Sequence, residues 1–189
     1  MATSAALVVM TCVLGLYLAG CGDEEEAKPK TCDPGCQDQV AARSLRDVIK
    51  LVYNLTLQGN PVGIQDETTR CPHGGSARVS GVATSVAEQG ANQLELGYGF
   101  ESCAYQHLDD DAEESYDVVV SGIVLQTGVL AVQPTATTAL IFESEAISVE
   151  GEIFDPPVAY AETECALRLA QDGQHLSGSW CGRQVGFDL

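Results

Sequence analysis

The chain has 189 residues, with 27 acidic and 9 basic side chains and a formal net charge of -18. That balance excludes nucleic acid as a partner, because binding a phosphate backbone needs clustered Lys and Arg. It also argues against adsorption to anionic lipid, and it fits a domain kept soluble in a salty exterior, open at most to cations or basic partners.

The first charged side chain is Asp23. Before it, the uncharged stretch from Ala5 to Gly20 is 16 residues long. A membrane span needs roughly 20, whereas this length suits the apolar region of a signal peptide. The run ends in Leu18-Ala19-Gly20-Cys21. These four residues resemble the lipobox of a bacterial lipoprotein signal peptide. The resemblance implies that residues 1–20 are removed and that Cys21 becomes the first mature residue, carrying two or three acyl chains such as palmitate. Several chains anchor a protein stably where one is marginal, so the implied partner is the membrane, reached through Cys21. Gly22 follows, rather than the Asp that holds many such lipoproteins in the inner membrane, which favours the outer membrane of the cell envelope. One feature departs from the pattern: no Lys or Arg precedes the apolar run, where a positive segment is expected. An uncleaved anchor helix, with Cys12 and Cys21 as ordinary cysteines, is the competing reading.

Residues 21–31 form a charged, proline-bearing tether with almost nothing to bury, and are expected to be disordered. Residues 32–189 then read as a single globular domain. Cys32-Asp33-Pro34-Gly35-Cys36 has turn chemistry and allows a small loop closed by a Cys32–Cys36 bridge. A helix is predicted over about 38–57. Ala41, Leu45, Val48, Ile49, Val52 and Leu55 recur at helical spacing, with Arg43, Arg46, Asp47 and Lys50 on the other side. Asp38 is placed as its cap, and Gly59-Asn60-Pro61 stops it. Asn54-Leu55-Thr56 fits a glycosylation triplet but falls on this helix and is discounted.

From about residue 75 to 186 the pattern turns to strands. Period-two alternation marks 77–82 and 94–101. Both faces are apolar over 116–126, as in a covered central strand. Further strands are predicted at 129–132, 138–142, 147–153, 158–170 and 176–185, with Asp172-Gly173 as a hairpin signal. Gly81, Gly122, Gly151 and Gly178 each lie inside a strand, where glycine marks a bulge or bend. The fold class expected is α+β: one N-terminal amphipathic helix packed on a curved antiparallel meander of about eight strands. A barrel or sandwich with a peripheral helix is the alternative.

Beyond Cys21, six mature cysteines form an even set, which in an exported chain reads as three disulfides out of 15 possible connectivities. Zinc competes poorly, because paired knuckles are missing. A three-residue hairpin loop puts Cys165 opposite Cys181, and Cys71 and Cys103 flank the first strand pair. The expected set is therefore Cys32–Cys36, Cys71–Cys103 and Cys165–Cys181.

No catalytic, cofactor-binding or metal motif emerges. Asp109, Asp110, Asp111, Glu113 and Glu114 form a candidate calcium loop of low affinity, since calcium favours carboxylate oxygens. EF-hand spacing is absent, and a solvated hairpin tip is the better reading. His73, His107 and His175 have no partner visible in sequence that would orient them for catalysis. Tyr98, Phe100, Tyr105, Tyr116 and Tyr160 are candidates to line a groove between helix and sheet, and Trp180 is expected to pack over a disulfide. The functional expectation is a non-enzymatic envelope lipoprotein acting as a binding or structural module. A carrier of an apolar ligand in that groove is second, and an envelope hydrolase third.

Overall fold

Helix α1 spans Pro34–Leu57 in the computed structural model, which describes residues 31–108, 115–133 and 136–189. The lipobox, most of the tether and the acidic loop Asp109–Glu114 lie outside the described residues. The helix starts earlier than its apolar stripe suggests, because Asp33 rather than Asp38 is the cap. The Asp33 carboxylate accepts the Cys36 N–H at 2.9 Å. Pro34 occupies the first turn, where its missing N–H has no helical partner to lose. The Cys32–Cys36 bridge closes around this start.

Eight strands follow: β1 Gly63–Arg70, β2 Ser76–Val86, β3 Ala91–His107, β4 Tyr116–Ala131, β5 Ala139–Ile153, β6 Val158–Asp172, β7 His175–Trp180 and β8 Arg183–Asp188. They form one antiparallel sheet in simple sequence order, β1 to β8, with both ends unpaired. This corrects the expected architecture on three counts. The helix is internal to the chain, with 33 residues before it, and is not an N-terminal element. The sheet is a single open one, neither barrel nor sandwich. The strands are also not the eight anticipated. β1, with the sequence GIQDETTR, has no alternating apolar residues and goes unrecognised. Residues 116–126 and 129–132 are one strand, as are 138–142 and 147–153, while 176–185 is two.

The predicted break in β4 falls at Gly128, with φ 116°, and that in β5 at the bulge between Ser144 and Ile147, and glycines kink the strands elsewhere too. Gly151 has φ 149°, and a Cβ there would lie 2.1 Å from the Asp117 carbonyl oxygen of β4. Gly178, at φ 146°, would place one 2.2 Å from the Arg168 carbonyl. Only glycine lets the backbones approach this closely at positive φ. Bulges between Phe100 and Cys103 and between Ser144 and Ile147 add further bends.

These bends wrap the sheet around α1. The helix starts beside Tyr160 and Arg183, at one end of the strands, and its last turns lie beside Leu130 and Gln171, at the other. It therefore runs along the strands, yet it touches both edge strands, β1 and β8. Positions 40, 41, 42, 44, 45, 48, 49 and 52 are all buried. At about 100° per residue they cover roughly 200° of the helix circumference, about twice the stripe needed to lie on a flat face. Leu45, Val48, Ile49 and Val52 fill the concave side against Leu94, Leu96, Tyr98, Val120 and Ile147. Each contributes about 1.5–3 kcal/mol by leaving water.

Candidate functional site

The inward phase of β4 runs Tyr116, Val118, Val120, Val124 and then Gln126. The glutamine is the exception in an apolar series, and it is 5% exposed. Its Oε1 accepts the Tyr98 hydroxyl at 2.6 Å, which accounts for one half of the amide. The NH2 half makes no hydrogen bond among the described residues and is open to solvent, since no buried side-chain nitrogen or oxygen among them lacks a partner. It opens into a crevice of about 240 Å³ between the last turns of α1 and the ends of β4, β5 and β6.

Ile49, Leu140 and Phe142 give this crevice an apolar flank, while Lys50, Gln126 and Gln171 supply polar groups. Gln171 donates its own NH2 to the Gly173 carbonyl at 2.9 Å and so leaves an oxygen available. Lys50 makes no ion pair among the described residues. Arg46 also lines the site but is tied to Asp47 at 2.9 Å. The second Asp47 oxygen accepts the Tyr116 hydroxyl at 2.9 Å. Burial pushes the Tyr53 phenol above its ordinary range, with the Asn92 side chain opposing. Burial also raises Tyr98, assisted by the nearby Tyr53.

The opposite end of α1 is built differently. Asp38, placed by sequence as a cap, is instead a buried carboxylate in the second turn, 5% exposed. It accepts two hydrogen bonds from the Arg183 guanidinium and one from the Tyr160 hydroxyl at 3.1 Å. Tyr160 in turn accepts the indole N–H of Trp180 at 2.6 Å. Arg183 also donates to Glu162. These two carboxylates raise the Arg183 pKa above its already high value, Asp38 most strongly. Every polar group here has its partner, so the network fastens the helix to β6, β7 and β8.

A third region lies on the outer sheet face. Ile123 and Leu125 are 63% and 53% exposed, beside Gly99 and Gly97 of β3. A hollow of about 720 Å³ adjoins them at the β5 bulge, with Ser144 and Glu145 in its wall. Ser144 mends the bulge by donating to the Ile123 carbonyl and accepting from Ala146 N–H. This hollow is larger than the crevice, but its Ser144 hydroxyl is already engaged in the bulge.

The structure brings the six cysteines together as Cys32–Cys36, Cys71–Cys103 and Cys165–Cys181. His73 lies exposed in the β1–β2 turn, and His107 stacks on Tyr116 at 5.3 Å. His175 does have a partner: its Nδ1 lies 2.9 Å from Asp188 on the open outer face of β7 and β8. Ser177 is on the same strand, but no hydrogen bond joins it to His175 among the described residues. Tyr98, Phe100, Tyr116 and Tyr160 are buried in the core and do not together line one groove, although Tyr160 borders a hollow of about 300 Å³ beside the start of α1, and Tyr105 is half-buried. Trp180 is fully buried and is held by Tyr160. Among the described residues no group of three His, Cys, Asp or Glu is arranged to hold a metal ion. The crevice residues Lys50, Gln126 and Gln171 were missed by sequence reasoning. The available signal was a lone amide in the inward phase of an otherwise apolar strand. No family model, curated protein or solved structure matches the chain.

Proposed function

We propose that this chain is an acyl-anchored cell-envelope protein acting as a non-enzymatic binding module, with the crevice at the end of α1 as its ligand seat. The observation that carries the reading is the Gln126 amide, whose oxygen is fixed by Tyr98 while its NH2 half is held towards the crevice beside Lys50 and Gln171. The lipobox residues Leu18-Ala19-Gly20-Cys21 and the three disulfides support an exported, anchored location, with the outer membrane favoured by Gly22.

The apolar-carrier reading has less room. Leu45, Val48, Ile49 and Val52 occupy the concave face, and about 240 Å³ remains, less than the roughly 300–1,000 Å³ of sites for drug-sized ligands.

Two measurements test the proposal. Cys21→Ser should abolish metabolic lipid labelling and leave the precursor uncleaved; normal labelling would defeat the anchoring reading. A fragment screen followed by amide NMR should move the side-chain NH2 signals of Gln126 and Gln171. Hits that gather only on the outer face near Ile123 would defeat the crevice as the seat.

A further inference from the structure

Taking the crevice as a ligand seat, we infer that its ligand is a small organic carboxylate with an apolar flank. The inference rests on the reading above and adds the chemistry of what is bound. Three groups determine it. Lys50 is a cation with no carboxylate partner among the described residues, in a chain carrying 27 acids. The buried Gln126 amide presents N–H donors to the same space. Ile49, Leu140 and Phe142 line the remainder. A carboxylate accepts from both an ammonium and an amide, and such charge-assisted bonds are about twice as strong as neutral ones. A neutral hydroxyl compound would satisfy Gln126 but leave Lys50 unused. A cation would meet Lys50 and Arg46 at the entrance.

The net charge of -18 does not overrule this local arrangement. At physiological salt, charges farther than about 8 Å are largely screened, so the groups within contact distance decide the sign. Of these, Asp47 is already engaged by Arg46 and Tyr116. Size is set by the space, since about 240 Å³ admits a short chain or a single ring and no long acyl tail.

Hexanoate, with hexanamide and acetate as controls, tests the inference on the full chain by NMR titration of the Gln126 and Gln171 side-chain signals. Hexanoate should saturate those signals at least tenfold more tightly than hexanamide, which lacks the charge, and than acetate, which lacks the flank. Lys50→Glu should weaken hexanoate at least tenfold and hexanamide by much less, since only the carboxylate gains from the charge. Lys50 is exposed, so that variant keeps the fold. If hexanamide binds the crevice as tightly as hexanoate, the carboxylate inference fails while the seat stands. If no probe moves the crevice signals, both fail.

Discussion

The two ends of α1 face the same sheet under opposite rules. At the Asp38 end every donor meets an acceptor: Arg183, Tyr160 and Trp180 converge on one carboxylate. At the Lys50 end the Gln126 NH2 and the Lys50 ammonium face an open crevice and make no hydrogen bond or ion pair among the described residues. The first arrangement holds a helix in place. The second leaves donors open to solvent, where a ligand can reach them. Comparing the two ends therefore separates what builds the fold from what the fold can present to a ligand.

That contrast can be broken experimentally. The largest effect is expected at the fastened end, where Trp180→Ala should cost about 3–5 kcal/mol in urea unfolding, through loss of a fully buried indole and its bond to Tyr160. A loss below about 1 kcal/mol would mean that the network is not what secures the helix. Next in size is alkaline unfolding. Burial raises Tyr98 and Tyr116 above the ordinary tyrosine value of 10.0. Above about pH 10 the unfolded chain therefore releases protons that the folded chain retains, and stability falls by about 1.4 kcal/mol per pH unit for each tyrosine. Tyr98→Phe should remove one such share from the slope. An unchanged slope would show that water entering by the crevice reaches the Tyr98 hydroxyl, and that the open end is wetter than its packing implies. The smallest effect belongs to Lys50→Gln, which should shift stability by less than about 0.5 kcal/mol. A larger loss would make Lys50 a structural residue and remove the distinction between the ends.

The same contrast governs what could be read from the amino acids. The stripe Ala41, Leu45, Val48, Ile49 and Val52 is legible because burial repeats at helical spacing, but Leu55, at the same spacing, is 52% exposed. The start of α1 is not legible, since Pro34 and Gly35 suggest a turn until Asp33 and the Cys32–Cys36 bridge are seen to close it. Asp38 was misplaced for a related reason: a carboxylate ahead of an apolar run reads as a cap unless the distant Arg183 is known to meet it. β1 was illegible because an edge strand with one buried side chain, Gln65, carries no period-two signal. Gly128 and the Ser144–Ile147 bulge read as strand ends because a bend and a strand end look alike in sequence. For the crevice, Lys50, Gln126 and Gln171 are brought together only when the sheet wraps, so no local spacing records their proximity.

The sheet also has two free margins, β1 and β8. Unpaired strand edges invite a second chain to continue the ladder, and natural proteins block this with charge and irregularity. β1 places Asp66, Glu67 and Arg70 at its exposed margin, and β8 ends in Asp188. For molecules crowded side by side, those residues would decide whether copies stay separate or add strand to strand into fibres. Exchanging Asp66 and Glu67 for Thr and Val would leave the buried contacts in place, at the expense of the surface Asp66–Arg78 ion pair, while stripping the margin of the charge that keeps neighbouring sheets from joining.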